Sequence, residues 1–151
     1  MLSKQLEIKF ATVLIKNRRP MKLSELRAFL DDKMSVDTFK ALILPEVDEY
    51  QKRRLAKGGS IPITVINDAE MVASARDVSR VCEAYIQGGL NDTELAYISD
   101  ALLLSNFAQD VAFLGKGLRD VLGQLTDPEI NGPLDKEKVV DLLIKLSSEG
   151  Q

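Results

Sequence analysis

A mainly α-helical fold is what this sequence predicts: a bundle of six or seven helices with one short extended segment near residues 61–66. Three observations carry that prediction. Apolar residues recur three or four positions apart through most of the chain, which is the spacing of one helix face. Capping signatures such as Asn67-Asp68-Ala69-Glu70 and Asn91-Asp92-Thr93-Glu94 stand where those stripes begin. Glycine and proline gather mostly between the stripes, where turns belong. With 151 residues the chain has about the length of one domain. It is read as a single helical domain over 1–151, with a weak subdivision at 58–60.

In chain order, residues 2–16 carry Leu6, Phe10, Val13 and Leu14 at helical spacing, while Ile8 and Ile15 fall off the stripe and leave a strand as the lesser alternative. Asn17-Arg18-Arg19-Pro20 breaks the chain, because the residue before proline is pushed out of the helical region. Residues 22–32 form a short helix with Leu23, Leu26, Phe29 and Leu30 inward. Ser35 is an N-cap for a third helix with Val36, Phe39, Leu42 and Ile43 inward. Pro45 stops or kinks it and suits the first turn of a continuation through Val47, Tyr50 and Leu55. Gly58-Gly59-Ser60 is a break, and residues 61–66, with Pro62, read as an edge strand.

The Asn67–Glu70 signature is expected to open a helix with the stripe Met71, Ala75, Val78, Cys82 and Tyr85/Ile86, ended by Gly88 and Gly89. The Asn91–Glu94 signature opens the next, with Leu90 and Leu95 as a hydrophobic staple, so the two form an αα-hairpin. Leu95, Ile98, Ala101, Leu102 and Leu104 make this second helix apolar around most of its circumference, which places it centrally. Residues 106–110 are a loop. Val111, Leu114, Leu118, Val121, Leu122 and Leu125 continue at helical spacing, but Gly115 and Gly117 move the helix start to Leu114 or later. Residues 126–133 are a turn-rich connector, and Asp135 caps a last helix with Val139, Leu142, Leu143 and Leu146 inward.

Composition excludes several chemistries. The chain has no His, so there is no His-dependent triad, His general base or His metal ligand. One cysteine, Cys82, allows neither an intramolecular disulfide nor a thiolate zinc site. Cys82 lies on the apolar stripe of its helix and reads as a buried, inert thiol. The first ten residues contain Lys4, Glu7 and Lys9 and no apolar signal core, and no apolar run approaches the length of a membrane span. A cytoplasmic protein is therefore expected.

The formal charge of −3 hides a contrast. Residues 1–60 hold 13 basic against 8 acidic side chains, +5, and residues 61–151 hold 7 against 15, −8. Between Glu83 and Asp135 there are nine acids and two bases, Lys116 and Arg119. Such asymmetry can steer a partner, although the two halves can also neutralise each other internally. The basic clusters, Arg18-Arg19 with Lys22 and Lys52-Arg53-Arg54 with Lys57, sit in an acidic chain. A helix-turn-helix reading of 24–42 would offer only Asp37, Thr38 and Lys40 from its recognition helix. A DNA-binding regulator is thus a minor alternative.

Two loops resemble ligand sites only in part. Residues 127–138 overlay a calcium loop at several positions, but the twelfth, which needs a bidentate carboxylate, is Lys138. Gly115-Lys116-Gly117 lacks the full glycine-rich spacing of a phosphate loop, and no strand is expected before it. No metal or cofactor is expected, and no nucleophile, base and oxyanion site assemble, so the chain reads as a non-enzyme.

The segments ELAYISDALLLS (94–105), LTDPEINGPL (125–134) and LSELRAFLDDK (23–33) together resemble small bacterial immunity proteins, which neutralise toxins delivered between competing cells. The resemblance covers about half of the chain and identifies no subfamily. It implies a cytoplasmic, non-catalytic inhibitor that binds one cognate toxin domain, such as a nuclease with a basic cleft. An acidic surface is the complementary solution for such a cleft. The candidate contacts are Asp92, Glu94, Asp100, Asp110, Asp120, Asp127 and Glu129. The alternative is a regulatory or adaptor domain that recognises an endogenous protein through an apolar groove. Stoichiometry stays open.

Overall fold

The computed structural model describes residues 20–55, 63–126 and 133–149. The expected helix at 2–16, the break at 58–60, most of the 126–133 connector, Asp127 and Glu129 lie outside them. Among the described residues the fold is mainly helical, with six helices and four very short strands. The helices are α1 (Leu23–Leu30), α2 (Val36–Leu55), α3 (Ala75–Ile86), α4 (Asp92–Phe107), α5 (Leu118–Gln124) and α6 (Lys136–Glu149). The strands are β1 (Met21–Lys22), β2 (Val65–Ile66), β3 (Met71–Ala73) and β4 (Val111–Phe113). β1 pairs in parallel with β2, and β3 in parallel with β4, in the register Met71 to Val111 and Ala73 to Phe113.

The helix α4 is the centre of the core. Nine of its residues are buried, among them Leu95, Tyr97, Ile98, Ala101 and Leu102, as its all-round apolar sequence requires. It packs against α2, α3, α5 and β4, while α6 lies chiefly on α3. Leu23, Leu26, Phe29 and Leu30 of α1 are all buried. Phe29 stacks on Phe39 of α2 at 4.6 Å between ring centroids, and Tyr50 meets Tyr97 edge-on at 5.7 Å. Each such fully buried side chain contributes about 1.5–3 kcal/mol over its exposed state.

The helix α2 runs unbroken through Pro45. Proline removes the amide that would bond to the Ala41 carbonyl, but both residues are exposed, so water can take that carbonyl. The buried side of α2 is Phe39, Ile43, Val47 and Tyr50. Leu42, expected inward, is exposed, because the stripe advances in steps of four and three from Phe39 and passes it by.

Two expectations fail at strands. The Asn67–Glu70 signature opens no helix. Met71–Ala73 is extended, with Met71 and Ala73 buried around exposed Val72, and α3 starts at Ala75 behind Ser74. The Asp68 carboxylate is used elsewhere: it accepts the Ser24 amide at 2.9 Å and the Ser24 hydroxyl. It thereby caps α1, whose N-cap residue Lys22 has no side-chain acceptor. Similarly, Val111 belongs to β4 and not to a helical stripe, and Leu114 is exposed. A strand therefore does precede the Gly115-Lys116-Gly117 loop, contrary to the sequence reading. The parallel pairing of β3 with β4 needs a long crossover, and the α3–α4 hairpin is that crossover.

Candidate functional site

The turn of the α3–α4 hairpin positions the acidic residues that gather at one place. Gly88 adopts φ +85° just past the end of α3, a left-handed value that glycine accommodates without a Cβ clash. Asn91 and Glu94 then close a reciprocal capping box, each side chain accepting the other's backbone amide at 2.8 Å. Leu90 and Leu95 on either side are both buried, as a staple requires. This arrangement brings Asp92, in the first turn of α4, under Tyr85 on α3. The Tyr85 hydroxyl donates to Asp92 Oδ1 at 2.6 Å. Asp135, at the start of α6, is close enough for its charge to act on the same phenol. Burial first, then the hydrogen bond and charge of Asp92, then the charge of Asp135, push the Tyr85 pKa up to about 12. Asp135 also accepts the Lys138 amide at 2.7 Å as the cap of α6. Neither Asp92 nor Asp135 forms an ion pair with a described residue, and both are exposed.

The other candidate acids are dispersed and engaged. Glu94 is 3% exposed. It spends its carboxylate on the capping box and on Lys40, 3.7 Å away. It is no surface contact, because the N3 position of a capping box turns its side chain back onto the helix start. Asp100 is half-buried and accepts the Tyr50 hydroxyl at 2.9 Å. Asp110 accepts from Asn67 Nδ2 at 3.1 Å. Asp120 is exposed but paired with Lys145, which holds its carboxyl below the usual range. Asp127 and Glu129 lie outside the described residues. Of the five described candidates, Asp92 is the one that is both exposed and without an ion pair to a described residue.

Part of the charge contrast is spent inside the molecule. Arg27 of α1 forks onto Asp77 of α3 at 2.6 and 3.3 Å, and reaches Asp31 at 2.7 Å. These hydrogen bonds raise the guanidinium pKa still further. Arg80 pairs with Asp32 at 2.8 Å and lies over the Phe29 ring, 4.9 Å from its centroid. With Lys40–Glu94, these contacts tie the basic segment to the acidic one. In the N-terminal basic segment Arg53 pairs with Glu49 on its own helix.

Cys82 is buried, and burial pushes its thiol up to about 12, so it is inert as a nucleophile. Among the described residues no three His, Cys, Asp or Glu side chains converge as a metal site, and no helix is long and apolar enough to cross a membrane. Sequence reasoning missed Tyr85 and Asp135 as members of the acidic edge. Asp135 carries the ordinary signature of a cap, and only the docking of α6 on α3 brings it to Tyr85. No family model, curated protein or solved structure matches this chain.

Proposed function

We propose that this chain is a non-catalytic, cytoplasmic protein-binding inhibitor of the bacterial immunity type, which covers a basic surface on a cognate toxin. The observation that carries the reading is exposed Asp92, held by the Tyr85 hydroxyl, with the charge of exposed Asp135 acting on the same phenol. Two exposed carboxylates without an ion pair to a described residue stand at helix starts, and a tyrosine anchors one of them. Fixed carboxylates beside an aromatic suit recognition of Lys and Arg side chains, both for steering and for bidentate pairing. The resemblance of 94–105 and 125–134 to immunity proteins supports the same reading. Co-expression with the toxin-like product of the adjacent gene tests it. Cells carrying this chain should survive, and the doubly substituted Asp92→Asn/Asp135→Asn form should protect poorly. Equal killing with and without the wild-type chain would sink the proposal.

One observation favours the adaptor alternative. Leu104 and Phe107, one turn apart on α4, are 42% and 66% exposed, and Leu114 is 62% exposed. Exposed apolar residues of this kind mark partner surfaces when contiguous. Salt separates the two readings: acid-to-base association slows as salt rises, whereas apolar docking barely responds.

A further inference from the structure

At the carboxyl end of β4 the chain turns through Leu114-Gly115-Lys116-Gly117 into α5. Gly115 and Gly117 have φ of +99° and +88°, so the path of this loop depends on glycine. The loop borders a surface pocket of about 330 Å³ whose walls include Asn106, Phe113, Lys116, Leu118 and Arg119. That volume is at the small end of ligand sites.

The polar side of the pocket is held in place. Asn106 Nδ2 donates to the Val111 carbonyl at 2.9 Å, which aims its Oδ1 to accept from Arg119 Nε at 2.7 Å. The Arg119 guanidinium also lies over the Phe107 ring, 5.2 Å from the centroid. Fixed at Nε and on one face, Arg119 keeps both terminal amino groups without a partner among the described residues, and the Lys116 ammonium has none either. These are the two bases that occur among nine acids between Glu83 and Asp135. Both line the same pocket, so an anion bound there would meet two cations. A guanidinium held by its Nε presents its remaining fork to an oxyanion.

We propose that this pocket binds a small phosphate-bearing ligand. The phosphoryl dianion meets the Arg119 terminal amino groups and the Lys116 ammonium, and the remainder of the ligand rests on half-buried Phe113. Asn106 is a positioning residue for Arg119. The site uses no residue of the acidic edge and stands or falls separately from the toxin-binding reading.

The test is amide chemical-shift titration of the ¹⁵N-labelled full chain with inorganic phosphate, at ionic strength held constant with sodium chloride. Acetate is titrated in parallel. Phosphate should shift the 115–119 amides saturably, and acetate should bind at least about tenfold more weakly because it lacks the second charge. Lys116→Gln and Arg119→Gln should each weaken phosphate by about tenfold, the scale of one lost charge-assisted contact. No saturable shift, equal binding of acetate, or undiminished binding in the Lys116→Gln/Arg119→Gln double variant would each overturn the proposal. Lys116 is exposed and makes no hydrogen bond or ion pair with a described residue, so its single variant decides the matter if the Arg119 variant unfolds.

Discussion

Asp77 serves two elements at once. Its Oδ2 accepts the Ser74 amide at 2.9 Å and so starts α3, while both of its oxygens take the Arg27 fork from α1. The side chain is 8% exposed, so removing it leaves a half-buried guanidinium without its main partner. Asp77→Ala should cost about 2–4 kcal/mol in urea denaturation, the range for a broken, partly buried pair plus a lost cap. Asp31→Ala removes an exposed, solvent-screened partner of the same arginine and should leave stability almost unchanged. Equal effects of the two would show that the Arg27–Asp77 fork holds nothing. The sequence hid this residue: Ser74-x-x-Asp77 is a plain capping pattern, but the earlier Asn67–Glu70 pattern matched the same signature and stood next to the stripe.

Tyr85 and Cys82 make the alkaline side of stability specific. Both have folded pKa values raised to about 12, from 10.0 and 9.0. A group whose folded pKa is raised contributes fully below its unfolded pKa and loses that contribution as pH climbs to the folded value. Stability should therefore decline between about pH 9 and 12. The part of the native-state absorbance change at 295 nm that is lost in Tyr85→Phe should titrate well above the ordinary range, and Asp92→Asn should bring it down. A Tyr85 phenolate that forms near pH 10 in the wild type would contradict the geometry of the acidic edge.

At the scale of elements, the α3–α4 hairpin was the most legible part of the chain. Gly88-Gly89, Asn91 and Glu94 state the end of one helix and the start of the next in residues whose local chemistry allows few alternatives. Asn91→Ala removes the acceptor for the Glu94 amide and should cost about 1 kcal/mol in thermal or urea unfolding. A Cβ at Gly89 would come within 3.2 Å of the Ala84 carbonyl and 3.3 Å of Val36. Gly89→Ala should thus destabilise by about 1–2 kcal/mol unless Val36 yields, and a neutral result would show that α2 gives way there.

The strands were illegible for a physical reason. β3 and β4 hold three residues each, too few for period-two alternation to stand out from a helical stripe. Their hydrogen-bonding partners lie some forty residues away in sequence, so no local pattern records them. Two helix ends were equally quiet, because Asp32 (φ +59°) and Gln109 (φ +66°) occupy the left-handed turn positions that glycine usually marks. The acidic edge was half legible. Asp92 is explicit in the charge pattern, whereas Asp135 joins it only through the packing of α6 on α3.

For the whole molecule, the opposed charges of the two halves have two fates. Arg27, Lys40 and Asp32 are consumed in bridges between the segments, and Asp92 and Asp135 are left outward. Asp31, Asp68 and Asp120 have folded pKa values held below the usual carboxylate range by Arg27, Ser24 and Lys145 respectively. A depressed folded pKa contributes stability above the unfolded value near 3.8, and the contribution is lost as pH falls through the folded value. These exposed contacts are screened by solvent, so stability should decline only slightly below about pH 4, read as a small drop in the urea midpoint. A midpoint that rises on acidification would contradict the direction of these shifts.

Recognition of a basic protein by Asp92 and Asp135 is tested by the association rate with the adjacent gene's product, measured by stopped flow in low and high salt for the wild type and for Asp92→Asn/Asp135→Asn. Asparagine still caps α6 and still accepts the Tyr85 hydroxyl, so the variant changes charge and leaves the fold in place. The wild-type rate should fall by about tenfold or more between about 50 and 500 mM salt, and the variant should associate slowly with a shallower salt dependence. A rate that is indifferent to salt, or equal in wild type and variant, would contradict recognition by these carboxylates.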